Sequence, residues 1–217
     1  MEFYSPPRIA PKCLRRGLVA QYSFDKATSG HDFLQSSCRD ACLQLLHIYR
    51  PSLVMLSPPC TIFSQLNSWN HKKLSTMIYK QRPATAATHI NYSMLIAQIQ
   101  LRDGRYFCFE QPSKATSWAL PSVVSMESLP GVEKIKFDMR CFGMRSPKNG
   151  TPIRKPTTMM TNHPNIKAVL KDKTCKAKHK HREITGSEGG VSLSNWCQVY
   201  PAQLCDAIAD SSVRSHR

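Results

Sequence analysis

Through the first half of the chain, short apolar runs alternate with stretches of helical spacing, the pattern of a parallel α/β sheet. Glu2-Phe3-Tyr4 predicts a brief first strand. A helix over 8–16 follows, ended by Gly17. Leu18 to Phe24 predicts a second strand closing on Asp25. Between Ser37 and Tyr49, Ala41, Leu45 and Ile48 recur at helical spacing with Leu46 alongside, and Pro51 stops the pattern. Leu53-Val54-Met55-Leu56 reads as a buried strand that delivers Ser57-Pro58-Pro59-Cys60 to its C-terminal end.

A polar stretch, 65–82, predicts a loop holding at most a short helix. Ala84 to Leu101 predicts a long helix with Asp103-Gly104 as its stop, and Tyr106-Phe107-Cys108-Phe109 the strand that carries Glu110-Gln111-Pro112. A helix and a strand follow from Val123 to Phe137. The span 145–190 is basic, rich in Pro, Thr and Lys, and without clear period. A last helix runs from Pro201 to Asp210, with Leu204, Cys205 and Ile208 on one side. The expected fold is α/β and Rossmann-like, a mostly parallel central sheet flanked by helices.

Composition narrows the class. At 217 residues the chain suits one domain with a substantial core. Its 41% hydrophobic content and mean hydropathy of −0.37 are those of a soluble globular protein. No apolar run approaches the length of a membrane span. The residues after Met1 contain no apolar leader core, so a secreted protein is not expected. Nine cysteines in irregular spacing, with no Cys-x-x-Cys pair, argue against a disulfide framework and for a reducing, intracellular compartment.

Thirty Lys and Arg against fourteen Asp and Glu give a net charge of +16, which favours a polyanionic partner, nucleic acid above all. The competing reading is charge that serves only solubility or contact with a membrane surface.

In an open parallel sheet, ligands bind at the carboxyl ends of the strands. Four such ends carry unusual residues here: Ser5-Pro6-Pro7, Asp25, Ser57-Pro58-Pro59-Cys60 and Glu110-Gln111-Pro112. An acid at the end of the second strand suits a ribose diol. A Pro-Pro-Cys turn holds the backbone rigid beside a thiol, and a glutamate on the next strand end can hydrogen-bond or protonate a heteroatom.

These residues carry a resemblance. Ser57-Pro58-Pro59-Cys60-Thr61-Ile62-Phe63-Ser64 resembles the Pro-Pro-Cys-x-x-Phe-Ser motif of the cytosine-5 nucleic-acid methyltransferases, and Glu110-Gln111-Pro112 their later Glu-Asn-Val motif. Asp25 and Asp32-Phe33 stand where that family places its ribose-binding acid and its adenine-binding pair. The run Gln198-Val199-Tyr200-Pro201-Ala202-Gln203-Leu204 resembles the closing motif that completes the cofactor site.

The resemblance implies a class I methyltransferase fold over 1–217, with 145–194 as a reduced, basic target-recognition insertion. It implies S-adenosylmethionine as cofactor, held by Tyr4, Ser5, Pro6, Asp25, Asp32, Phe33, Pro58 and Tyr200. Cys60 would attack C6 of a flipped cytosine while Glu110 holds the ring. Ser64, Arg154, Lys155, Lys178 and Lys180 would contact the nucleic acid, Arg154-Lys155 being a loose counterpart of the family's arginine-rich motif.

Phe3-Tyr4-Ser5-Pro6-Pro7-Arg8 stands in place of the family's glycine-bearing loop and has no glycine. The target-recognition region, roughly Asn162 to Asn195, is very short, so a partner protein or parent polyprotein would supply target specificity, and a nuclear location follows from the substrate.

Two rivals stay open. One is an exocyclic-amine methyltransferase, whose Ser-Pro-Pro motif ends in a base-stacking aromatic where Cys60 stands. The other is an inactive fold kept as a nucleic-acid-binding module. Cys175, His179 and His181 have donor spacing for a metal, but the interleaved lysines favour a solvated basic loop, and no metal is assigned.

Overall fold

The computed structural model describes residues 1–20, 22–63, 76–176 and 181–214, with the backbone alone over 76–82. Six strands form the central sheet: β1 (Glu2–Phe3), β2 (Ser23–Phe24), β3 (Leu53–Leu56), β4 (Tyr106–Pro112), β5 (Glu133–Asp138) and β6 (Pro156–Thr161). Their order is β2-β1-β3-β4-β6-β5. The pairs β1–β2, β1–β3 and β3–β4 are parallel, and β6 alone runs against its neighbours.

Period-2 alternation sends each strand's side chains to two different cores. Val54, Leu56, Phe107, Phe109 and Met160 join Leu46 of α3 (Ser36–Tyr49), Ile90 and Met94 of α4 (Thr76–Arg102) and Val123 of α5 (Pro121–Glu127). Met55, Cys108, Phe137 and Met159 face the other way. They pack with Ile166 and Leu170 of α6 (Pro164–Leu170), Leu193 of α7 (Leu193–Trp196), and Leu204 and Ile208 of α8 (Ala202–Arg214). The result is a helix–sheet–helix sandwich. Its α8 face is tied to the short helix α1 (Ala10–Leu14) by Lys12–Asp206 at 2.8 Å, and to the turn after it by Arg16–Asp206 at 3.1 Å.

Several elements differ from the sequence expectation. The second strand shrinks from 18–24 to Ser23–Phe24, because its neighbour β1 offers only Glu2 and Phe3 for pairing. Val19 is left 86% exposed. The helix expected over 8–16 is the five-residue Ala10–Leu14, and Gly17 turns the chain at φ +76°. The long helix begins at Thr76 and continues through Pro83, where the sequence places a loop.

The span 145–194, expected as a reduced, basic target-recognition insertion, also builds part of the central sandwich. It contributes β6, wedged between β4 and β5, and α6 beneath the sheet. Pro156 occupies the first position of the strand, where a missing N–H is tolerated. The remaining five residues, Thr157 to Thr161, are buried whichever face they take, so no polar–apolar alternation marks the strand. Its threonines stay inside because their hydroxyls are satisfied: Thr161 Oγ1 donates to the Phe107 carbonyl at 2.5 Å and Thr158 Oγ1 to Ser113 at 2.9 Å.

Candidate active site

The connection from β1 runs to β2 on one side, and the chain then crosses back to place β3 on the other. The crevice between the carboxyl ends of β1 and β3 is therefore a topological switch point, where open α/β sheets bind ligands. The ends that meet there are Tyr4-Ser5-Pro6 and Ser57-Pro58-Pro59-Cys60.

The Pro-Pro-Cys turn is held from several directions. Ser57 N–H donates to the Phe3 carbonyl at 3.2 Å, continuing the β1–β3 ladder one step beyond the strand. The Pro58 carbonyl accepts from Gln111 Nε2 at 2.7 Å, and Gln111 is itself oriented by Ser117 Oγ at 3.3 Å. Beyond Cys60, the Phe63 carbonyl accepts from Thr116 N–H at 3.0 Å. Pro58 is thus a buried anchor of the turn, and Gln111, whose orienting role the sequence did not disclose, fixes β4's end to it.

Glu110, 7% exposed, lies one residue before Gln111. The Tyr200 hydroxyl donates to its Oε2 at 3.2 Å, while Oε1 is buried with no hydrogen-bond partner. Lys155 Nζ stands 3.9 Å from that Oε1, close enough for Coulombic attraction but too far for a hydrogen bond. Lys155 instead donates to the Cys197 carbonyl at 2.9 Å. Its side chain is mostly buried and lies beside the candidate catalytic carboxylate, a contact that the expected nucleic-acid role of Lys155 did not include.

Burial, and then the Glu110 charge, push the half-buried Cys60 thiol above its ordinary pKa, while Lys155 pulls it down. Glu110 and Lys155 therefore act on Cys60 with opposite signs, which gives a test independent of any reaction. Iodoacetamide should alkylate Cys60 faster in Glu110→Gln and more slowly in Lys155→Met, by about three- to tenfold each at pH 7.5, because only the thiolate reacts. Mass spectrometry of the Cys60 peptide reads the rate; equal rates in the two variants would remove the coupling.

On the other side of the crevice, Tyr4 takes a left-handed backbone (φ +63°) where the resembled family has a glycine-bearing loop. A non-glycine residue there is strained by about 1 kcal/mol or more. Packing holds it: the ring lies 4.6 Å from Phe33, and its hydroxyl donates to the His89 carbonyl at 3.2 Å. Ser5 is buried and turned onto the Pro6 carbonyl at 2.8 Å, and Pro6 is half-buried.

Glu2, which the sequence did not single out, is buried beneath this turn. One of its oxygens accepts from the N–H groups of Arg8, Ile9 and Ala10 at 2.8–3.0 Å and so caps the following helix. Burial raises its carboxyl pKa, and those same bonds oppose the shift.

The remaining cofactor-side residues divide. Asp25 directly follows β2 as expected and caps α2 (Lys26–Ser29) through Oδ2, to Ala27 N–H at 3.1 Å and Thr28 N–H at 3.0 Å. Asp32 engages both oxygens, Oδ2 with Lys26 at 2.6 Å and Oδ1 with Leu34 N–H at 3.1 Å; the lysine holds its pKa down. Phe33 is 2% exposed and packs among Phe3, Tyr4 and Tyr92. As placed, Phe33 is a core residue and not an open cofactor contact.

Tyr200, expected at the cofactor from its motif, donates to Glu110. Arg154 is exposed. Ser64, Lys178, Lys180 and His179 lie outside the described residues. Cys175 Sγ meets Arg140 Nη2 at 2.7 Å and His181 Nε2 at 3.3 Å, and among the described residues no group of three His, Cys, Asp or Glu could hold a metal.

Compared with protein-family models, curated proteins and solved structures, the chain matches none of them.

Proposed function

We propose that the chain is an S-adenosylmethionine-dependent methyltransferase that methylates cytosine C5 in DNA or RNA through Cys60. One observation carries the reading. Neighbouring parallel strands deliver Cys60 and Glu110 to the switch-point side of the sheet, electrostatically coupled to each other and to Lys155.

In this reading a flipped base presents C6 to the Cys60 thiolate, whose formation Lys155 favours. Glu110 holds the ring nitrogen and exocyclic amine, using the oxygen that has no partner inside the protein. The bound sulfonium supplies the electrophilic methyl. A base then removes the C5 proton, and Cys60 leaves. Asp25 fits the cofactor's ribose: it stands at the end of β2 and spends only Oδ2 on its helix cap. Asp32 and Phe33 fit less well, being engaged by Lys26 and by the aromatic core.

The charge of +16 and exposed Arg154 support a nucleic-acid substrate, met in an intracellular, nuclear setting. With β6 and α6 claimed by the fold, little chain remains to read sequence. A partner or parent polyprotein is the proposed source of specificity. No helix among the described residues is long and apolar enough to cross a membrane.

The test is transfer of radiolabelled methyl to mixed DNA and RNA pools, with calorimetry for the cofactor. Label in cytosine C5 is the expected result; cofactor binding with label only in exocyclic amines would overturn the C5 assignment. The internal engagement of Asp32 and Phe33 favours a second reading, a nucleic-acid-binding module that has kept the fold without the cofactor. Absence of both label and cofactor binding, with nucleic acid still bound in a filter assay, would favour it.

A further inference from the structure

Glu110 can serve a bound base only if one oxygen is presented and the carboxylate does not turn away. Two charged or polar groups compete for it. Lys155 stands 3.9 Å from Oε1, a gap that a small rotation of the carboxylate would close into a direct ion pair. Against that, Ser57 Oγ and Tyr200 Oη lie 2.7 Å apart, and Tyr200 donates to Oε2 at 3.2 Å. With Ser57 donating into the tyrosine oxygen, the three groups form a chain from the end of β3 to the end of β4.

Tyr200 is 7% exposed, so its hydroxyl must be paired inside the protein, and the chain pairs it at both sides. The consequence falls on Oε1, which is left buried and without a partner. A buried unpaired carboxylate oxygen is costly, so Oε1 is the oxygen of Glu110 left to pair with a donor that enters the site.

We propose that Tyr200 is the positioning residue of the candidate active site. Its hydroxyl, backed by Ser57, pins Oε2 of Glu110 and holds Oε1 off Lys155, free for the substrate. This deepens the methyltransferase reading and rests on it for the identity of that substrate. It also makes the site depend on the C-terminal segment, since Tyr200 lies 90 residues from Glu110 and immediately before Pro201 and α8.

The experiment is a double-mutant cycle of Tyr200→Phe and Glu110→Gln on the full chain, read in two ways. In methyl transfer, Tyr200→Phe should lower kcat about a hundredfold with the cofactor KM unchanged, the loss expected when a reacting group shifts by about an ångström. In the Glu110→Gln background the same substitution should do nothing further.

The second readout, alkylation of Cys60 at pH 7.5, needs no methyltransferase activity. Without the hydroxyl the carboxylate closes on Lys155 and draws its charge away from the thiolate. Alkylation then slows about threefold, again only where Glu110 is present. Ser57→Ala, which keeps every ring in place, should show a smaller part of both effects and serves if Tyr200→Phe does not fold by its thermal transition.

Equal effects of Tyr200→Phe in both backgrounds would overturn the proposal, as would a raised cofactor KM with kcat kept. Failure of the wild type to transfer methyl would defeat the methyltransferase reading alone, and the alkylation cycle would then decide on Tyr200.

Discussion

Cys60→Ser should abolish methyl transfer to cytosine C5, lowering the rate by about 10⁴-fold or more, while cofactor affinity measured by calorimetry stays within about twofold. The size follows from the difference between a thiolate and a hydroxyl in this setting. Burial and Glu110 already oppose ionisation of the thiol, and Lys155 is the charge that favours it. A serine hydroxyl, far less acidic, would gain nothing from one lysine at a distance.

The sign of the pH dependence follows as well. Because the folded protein holds the Cys60 pKa above its ordinary value, the thiolate fraction is small at neutral pH. Transfer by the wild type should therefore climb as the pH rises toward that pKa. Label that survives in Cys60→Ser would identify an amine as the acceptor and remove the thiol from the chemistry. A rate that falls from pH 7 to 8 would contradict the thiolate assignment.

Phe3→Ala should destabilise the fold by about 3–5 kcal/mol, a large part of the total stability of a domain this size. Phe3 has no exposed surface and packs against Phe24 at 4.9 Å, Phe33 at 5.9 Å and Tyr92 at 6.5 Å between ring centroids. Its strand has only two residues, yet pairs on both sides, so the ring anchors a strand with little hydrogen bonding of its own. Its carbonyl also receives Ser57 N–H at the mouth of the crevice. Urea titration should show the lowered midpoint with the slope unchanged; a loss under 1 kcal/mol would mean that the Phe3 contacts do not hold the strand.

Much of the architecture was legible because its signals are local. Leu53–Leu56 is a continuous apolar run and forms a strand with those bounds. The last helix shows Leu204, Cys205 and Ile208 on the face that is buried. Pro-Pro before Cys60 limits the turn's backbone in any context. The strand β6 was not legible. Its threonines and methionines are buried on both faces, so hydrophobic alternation, the signal that a sequence offers for a strand, is absent. The start of α4, from Thr76 across Pro83, is another such case, because local chemistry at proline argues for a stop.

For the site, the sequence by itself determined which residues have chemistry to offer: a thiol behind two prolines, a glutamate on the following strand, acids at the end of β2 and beyond it. Those are properties of residue type and strand-end position. Only the tertiary structure decided what each one touches. It set Lys155, expected at the nucleic acid, and Tyr200, expected at the cofactor, both beside Glu110, and buried Phe33 among aromatic rings. It also disclosed Glu2 and Gln111 as the groups that pin the turns. The reason is range. Periodicity and turn chemistry act over a few residues, whereas the contacts that set a carboxylate's orientation or a thiol's charge join segments tens of residues apart, and those are chosen when the sheet closes and the helices pack.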